Sequence, residues 1–185
     1  MDSKTLLGRF LETGLGLIAP ERQRPFAVAG ADGLSALQGL AQKAWSEGGA
    51  DAWSVSSARQ GSGDVPPLSE SGRAQVLLQA MIAAAKVDGR LGEAEQQRLL
   101  AEMETQLAED EASFLRKEMR RPPVLDCLAR RLTTRAETVE VYAASLLAID
   151  PERPVSRHYL DMLAARLGLE RALVARIEET VAAHR

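Results

Sequence analysis

From residue 69 onward, apolar side chains recur every three or four positions, and no stretch alternates with period two. That spacing places them on one side of successive helices. The first predicted helix is capped by Ser69 or Ser71, carries Val76, Ala80, Ala83 and Val87, and stops at Asp88-Gly89, where glycine can take a left-handed terminus. Glu93 and Glu95 open the next, since early carboxylates suit the positive end of the helix dipole, and it holds Leu99, Leu100, Met103 and Leu107. A third covers about 110–120, with Phe114 and Leu115 inward, and Pro122-Pro123 break it. Pro123 starts a short helix bearing Leu125, Leu128 and Leu132. Thr134 and Glu137 form a capping box for a helix that buries Val139, Tyr142, Leu146 and Ile149. Two more follow. One has Val155, Tyr159, Met162 and Leu163 and ends at Gly168. The other begins near Glu170 with Leu173, Ile177 and Val181 inward. Seven helices over 69–185 make an all-α bundle.

Residues 1–68 read differently. They hold ten of the fourteen glycines and both tryptophans. A short helix fits 5–18, with Leu6, Leu7, Phe10, Leu11, Leu15 and Ile18 largely on one side, and a second fits 34–45. Residues 60–67, Gln-Gly-Ser-Gly-Asp-Val-Pro-Pro, read as a linker. The expected organisation is a Gly/Ala-rich arm and linker over 1–68, partly helical or disordered, and a helical domain over 69–185.

Composition narrows the function classes. Ala and Leu dominate the apolar content and aromatics are 4%, which favours helix over sheet. The net charge of −3 lacks the basic excess of a general nucleic-acid binder, so no nucleic-acid partner is expected. A single cysteine, Cys127, makes neither an internal disulfide nor a CxxC metal site, and it fits a small apolar core position in a reducing compartment. Two histidines, His158 and His184, are too few for a histidine-rich zinc site. No uncharged run reaches the roughly twenty residues of a membrane-spanning helix, and the start Met1-Asp2-Ser3-Lys4 lacks a basic region followed by an apolar run. No GxSxG, P-loop, GxGxxG or HExxH pattern occurs, so an enzyme is not expected.

Two segments echo each other as helix, acidic turn, helix. Ala83 to Asp88 leads to Gln97-Arg98-Leu99-Leu100, and Ala144 to Asp150 leads to Arg157-His158-Tyr159-Leu160. The run Met81-Ile82-Ala83-Ala84-Ala85-Lys86-Val87-Asp88-Gly89-Arg90-Leu91, followed by Glu95, resembles the AA-x-ADG motif of the tellurite-resistance TerB-like superfamily. The run from Val141 to Ile149, with Tyr159-Leu160-Asp161-Met162-Leu163-Ala164-Ala165-Arg166-Leu167-Gly168-Leu169, resembles the YebE-like family (domain of unknown function 533) within it.

The resemblance implies an all-helical bacterial protein linked to tellurite and stress phenotypes. In several members the N-terminal region is hydrophobic enough to count as inner-membrane, and Gly33 to Trp45 resembles its end. Asp32, Gln38 and Gln42 interrupt an apolar span here, so the expected location is cytoplasmic or peripheral to the inner membrane, with an unknown protein partner. It also implies a divalent cation held by acidic helix-turn-helix corners, which places candidate ligands at Asp88, Glu95, Asp150 and Glu152. The chain departs from the pattern at Gly92 and Ser156, which stand where relatives often carry Asp and Glu. The same acidic residues also suit helix capping, and Arg90 with Gly92 breaks the EF-hand pattern. No catalytic or organic-cofactor residue emerges. The expected function is a non-enzymatic interaction or scaffold module in stress or envelope-linked processes. The alternatives are a divalent-metal-binding module and an enzyme of unrecognised type.

One further feature is the charge run. Arg116, Lys117, Arg120, Arg121, Arg130, Arg131 and Arg135 face only Glu118 and Asp126 over twenty residues. It suits either a docking face for an acidic partner or anionic lipid, or a solvated surface with local ion pairs.

Overall fold

Ser69 begins the helical bundle: its hydroxyl accepts from the Gly72 N–H at 3.2 Å and opens α2 (Glu70–Val87). A computed structural model describes residues 3–14, 37–39, 68–104, 107–123 and 125–183. Before α2 comes α1 (Ser3–Arg9), which runs into a wider π-helical turn, Phe10–Gly14. After it come α3 (Glu93–Glu104), α4 (Glu109–Arg120), α5 (Leu125–Arg131), α6 (Arg135–Ala148), α7 (Pro154–Leu167) and α8 (Arg171–Ala183). Among the described residues no strand is present, so the fold is an all-α bundle.

The core is built on α2 and α6, which pack more extensively against each other than any other pair. Both are apolar almost all round, the mark of a helix enclosed by its neighbours. Ala80, Ala84 and Ala85 on α2 and Ala143, Ala144 and Ala148 on α6 are fully buried. Short side chains let helix axes approach closely, and Leu77, Met81, Tyr142 and Leu146 fill the space around them. The remaining helices close the sides: α1 and α7 against α2, α7 and α8 against α6, and α3 against α4.

The helix ends are the ones their residues dictate. Gly89, at φ 74°, closes the turn after α2, and Gly168, at φ 66°, ends α7. Thr134 caps α6 by accepting from the Glu137 N–H at 3.3 Å, while Glu137 reaches back to the Thr134 N–H at 2.9 Å. Pro154 occupies the first turn of α7, where its missing N–H costs nothing.

The N-terminal segment contributes to the same core. Leu6, Leu7, Phe10 and Leu11 are fully buried, as is Leu37 in the helical turn 37–39. Ser3 is buried too and accepts from the Ser71 hydroxyl and the Gln75 amide, each at 3.1 Å. The predicted helix over 5–18 is thus seen as α1 and its π-helical turn, with its last residues outside the described set. The helix predicted over 34–45 lies outside it except for 37–39, and the linker 60–67 lies wholly outside.

Two apolar side chains of α7 and the cysteine of α5 differ from their sequence assignment. Val155 and Met162 are 45% and 41% exposed. α7 turns Tyr159, Leu160, Leu163 and Leu167 inward, and Val155 and Met162 fall at the edge of that stripe. Cys127, expected in the core, is exposed, because α5 is short and buries only Leu128 fully.

Candidate functional site

The acidic corners come together around an arginine. Asp88 follows the last turn of α2, and its carboxylate is enclosed. Arg90, one residue past Gly89, sets its Nε 2.6 Å from Asp88 Oδ2. From the other corner, Arg153 sets Nη1 2.9 Å from Asp88 Oδ1, and the Ser156 hydroxyl donates to that same oxygen. The second end of Arg90 reaches Asp150, with Nη2 3.4 Å from Oδ2. The two echoing turns are therefore joined through Arg90, and two guanidinium charges balance two carboxylates.

This donor set does not fit a divalent cation. Calcium and magnesium need converging oxygens with room for several ligands. Here Asp88 Oδ1 accepts from Arg153 and Ser156 while Oδ2 lies against the Arg90 guanidinium, and a metal ion would sit against two fixed positive charges. Glu152 is exposed, and its backbone N–H bonds Asp150 Oδ1 at 3.1 Å. Glu95 folds over Gly92, where an added Cβ would stand 2.7 Å from Glu95 Oε2. Among the described residues no group of three or more His, Cys, Asp or Glu side chains is arranged to hold a metal.

Other ionisable groups of the bundle tie helices together. Glu137 accepts from the backbone N–H of Leu68, Thr133 and Thr134 and from the Thr133 hydroxyl. Burial acts to raise its carboxyl, but these donors outweigh it and hold it below the ordinary value. Glu140 pairs with Arg73 across the α2–α6 seam, yet burial still pushes its carboxyl up. The buried Tyr142 hydroxyl donates to Glu178 Oε1 at 2.7 Å, and Arg157 Nη2 lies 2.6 Å from that same oxygen. Burial, then the Glu178 carboxylate, push the Tyr142 phenol up. Tyr159 is buried as well, and burial raises its phenol to about 12. Neither tyrosine is placed to donate or accept a proton from a ligand. Both serve packing, and His158 sits exposed on α7.

A different arrangement opens along α2. A cleft of about 370 Å³ lies between α2, the turn after α4, and α5. Ile82, Ala83 and Leu128 form an apolar floor, and Pro122 and Pro123 form a wall. Lys86, Arg121 and Arg131 supply three cations against one carboxylate, Glu118. Lys86 Nζ donates to the carbonyls of Glu118 at 3.0 Å and Arg121 at 2.7 Å, which fixes the wall to α2. Burial lowers the Lys86 ammonium from its ordinary value, and Glu118 offsets this in part. Arg131 donates to Gln79, and Arg121 Nη1 lies 3.1 Å from Glu118 Oε1. Exposed Cys127 stands on the lining.

The basic run in the sequence supplied two of these cations, and the Pro-Pro break between its two halves is the sequence signal for the wall. Lys86 and Gln79 had no such signal, because they arrive from a helix that is distant along the chain. Elsewhere in the run Arg116 pairs with Glu109, and the run's Asp126 is taken up by Arg166 on α7.

Among known families, the one described as protein of unknown function (DUF533) matches residues 7–181. No curated protein and no solved structure matches the chain. The family match begins within α1 and so takes in the N-terminal segment as well as the bundle.

Proposed function

Since the chain belongs to the DUF533 family, we propose that it is a non-enzymatic interaction module of the TerB-like, YebE-like kind. The superfamily reading rests on the Ala83-Ala84-Ala85-Lys86-Val87-Asp88-Gly89 corner and its echo at Asp150. The observation that carries the functional reading is the cleft beside α2. It combines an apolar floor with cations on a wall anchored by Lys86, the composition of a recognition surface. By contrast, Asp88, Glu137, Glu140 and Tyr142 are engaged in joining one helix to another. A reaction centre would want such groups turned towards a ligand.

The resemblance sets this module in a bacterial stress or envelope-linked process, in the cytoplasm and peripheral to the inner membrane. Among the described residues no helix is long and apolar enough to cross a membrane. The divalent-metal reading has less support, because Arg90 and Arg153 already match the Asp88 charge.

Site-directed photo-crosslinking in cells tests the module reading. A photo-reactive residue replaces Pro123, on the cleft wall, or Ala172, on the exposed side of α8. The expected result is a discrete protein adduct from position 123. Absence of a discrete adduct from both positions contradicts the reading.

A further inference from the structure

Resting on the interaction-module reading, we propose that the cleft between α2 and α5 binds an extended acidic peptide segment of a partner protein. One apolar side chain of that segment sits on Ile82 and Leu128, and its carboxylates meet Arg121 and Arg131.

Charge sets the sign of the ligand. Three cations against one carboxylate leave the lining with an excess of positive charge, in a protein whose net charge is −3. Arg121 and Arg131 belong to the basic run over 116–135, so the lining is a local concentration of positive charge in a chain that is acidic as a whole. Each arginine has one intramolecular partner on the cleft, Gln79 for Arg131 and Glu118 for Arg121. A guanidinium carries five N–H donors in a planar fork, so both retain donors in the geometry that a carboxylate accepts.

Shape and spacing favour a peptide over a compact polyanion. Glu118 is on the same lining and is nearly enclosed. A phosphate or a nucleic-acid backbone, with its charge concentrated, would meet that carboxylate at close range. A peptide distributes single charges along its length and can place them on Arg121 and Arg131 to either side. The apolar floor then takes a side chain between them, which free phosphate lacks. The cleft is neither enclosed nor flat, so part of an extended segment can rest in it, whereas a small-molecule site encloses most of its ligand. The wall is held in place before binding, because Lys86 is tied to two carbonyls of the α4 terminus. Preorganisation of this kind lowers the ordering cost of association.

Cys127 makes the proposal measurable, since it is the chain's single cysteine, is exposed and lies on the lining. The full chain is alkylated with N-ethylmaleimide, an uncharged reagent, and the rate is followed by mass spectrometry. The probe is an acetylated and amidated heptapeptide alternating aspartate and leucine. The controls are the same peptide with lysine for aspartate and inorganic phosphate alone. The aspartate peptide is expected to slow alkylation about five-fold at saturation, and Arg121→Gln and Arg131→Gln are each expected to weaken its half-saturation about ten-fold, the cost of one charge-assisted contact. Thermal midpoints of both variants, compared with the parent, establish that each is folded.

No slowing by the aspartate peptide at millimolar concentration overturns the proposal. So does equal slowing by the lysine peptide or by phosphate, and so does full protection in both folded arginine variants. Adducts from position 123 without peptide protection would keep the module reading and overturn the acidic-peptide assignment. Protection without any cellular adduct supports the ligand class while contradicting the module reading.

Discussion

Arg153 Nη1 lies 2.9 Å from Asp88 Oδ1, although the two residues are 65 positions apart. The contact joins the turn after α2 to the start of α7. With Arg90 between Asp88 and Asp150, it makes one charged seam from two separate helix-turn-helix corners. An acidic corner that reads as a cation site in sequence is here a clamp between elements, and the cations are side chains of the chain itself.

Asp88→Asn keeps the shape of that clamp and removes its charge. The Arg90 side chain is 11% exposed, so it would be left largely desolvated with its close counter-charge gone and only Asp150, at 3.4 Å, still opposite it. Arg153 is 46% exposed and recovers water, which reduces the loss. The expected destabilisation is about 2–3 kcal/mol by urea denaturation, below the full cost of breaking a buried pair. A change under about 0.5 kcal/mol would mean that the seam is a surface pair of no consequence.

Glu137→Gln tests the link between the start of α6 and the backbone at Leu68. The carboxylate accepts three backbone N–H bonds, and an amide accepts with only one of its two ends. A loss of about 2 kcal/mol at neutral pH is expected. The folded pKa lies below the ordinary 4.5, so the carboxylate's contribution is complete above that value and is lost as pH falls through the folded pKa. The stability gap between parent and variant should therefore narrow on acidification below about 4.5. A gap independent of pH would show that the carboxylate charge is not the cause.

Much of the bundle was legible in the sequence because its signals are local. Thr134 and Glu137 are three residues apart and cap α6 as their spacing implies, and Gly89 and Gly168 end helices as glycine should. The apolar positions Val139, Tyr142, Leu146 and Ile149 recur with the helical period and are all buried. The site was less legible because it is assembled from distant parts. Nothing near Asp88 names Arg153 as its partner, and nothing near Arg131 names Gln79. Periodicity also gives a stripe without its edges, so Val155 and Met162 fit the helical period and yet lie outside the core. For Cys127, residue type suggested burial, while the shortness of α5 decided exposure.

Leu7→Ala tests whether α1 belongs to the structural core. Leu7 is fully buried and packs with Phe10 and Leu11 against the bundle. The expected cost is about 2–5 kcal/mol, the range for deleting a buried leucine side chain. A single cooperative transition at lower denaturant is the expected form. An unchanged midpoint would show that α1 is a dispensable appendage.

Tyr142→Phe and Glu178→Ala separate the two halves of the α6–α8 contact. Phenylalanine removes one hydroxyl and leaves Glu178 paired with Arg157, so a loss of about 1 kcal/mol is expected. Alanine at 178 leaves the buried Tyr142 hydroxyl without its carboxylate acceptor and Arg157 with only the exposed Asp161 at 3.5 Å, so a larger loss, about 2 kcal/mol, is expected. Equal losses, measured by thermal denaturation, would contradict this division.

A pair of amide NMR titrations reaches the whole account in one experiment, using the full chain with Ca²⁺ in one series and the aspartate–leucine heptapeptide in the other. The account predicts that the peptide shifts amides around Gln79, Lys86 and Leu128, and that Ca²⁺ leaves those of Asp88, Arg90 and Asp150 where they were. Saturable movement of the Asp88 and Asp150 amides with Ca²⁺, together with a silent cleft, would contradict it.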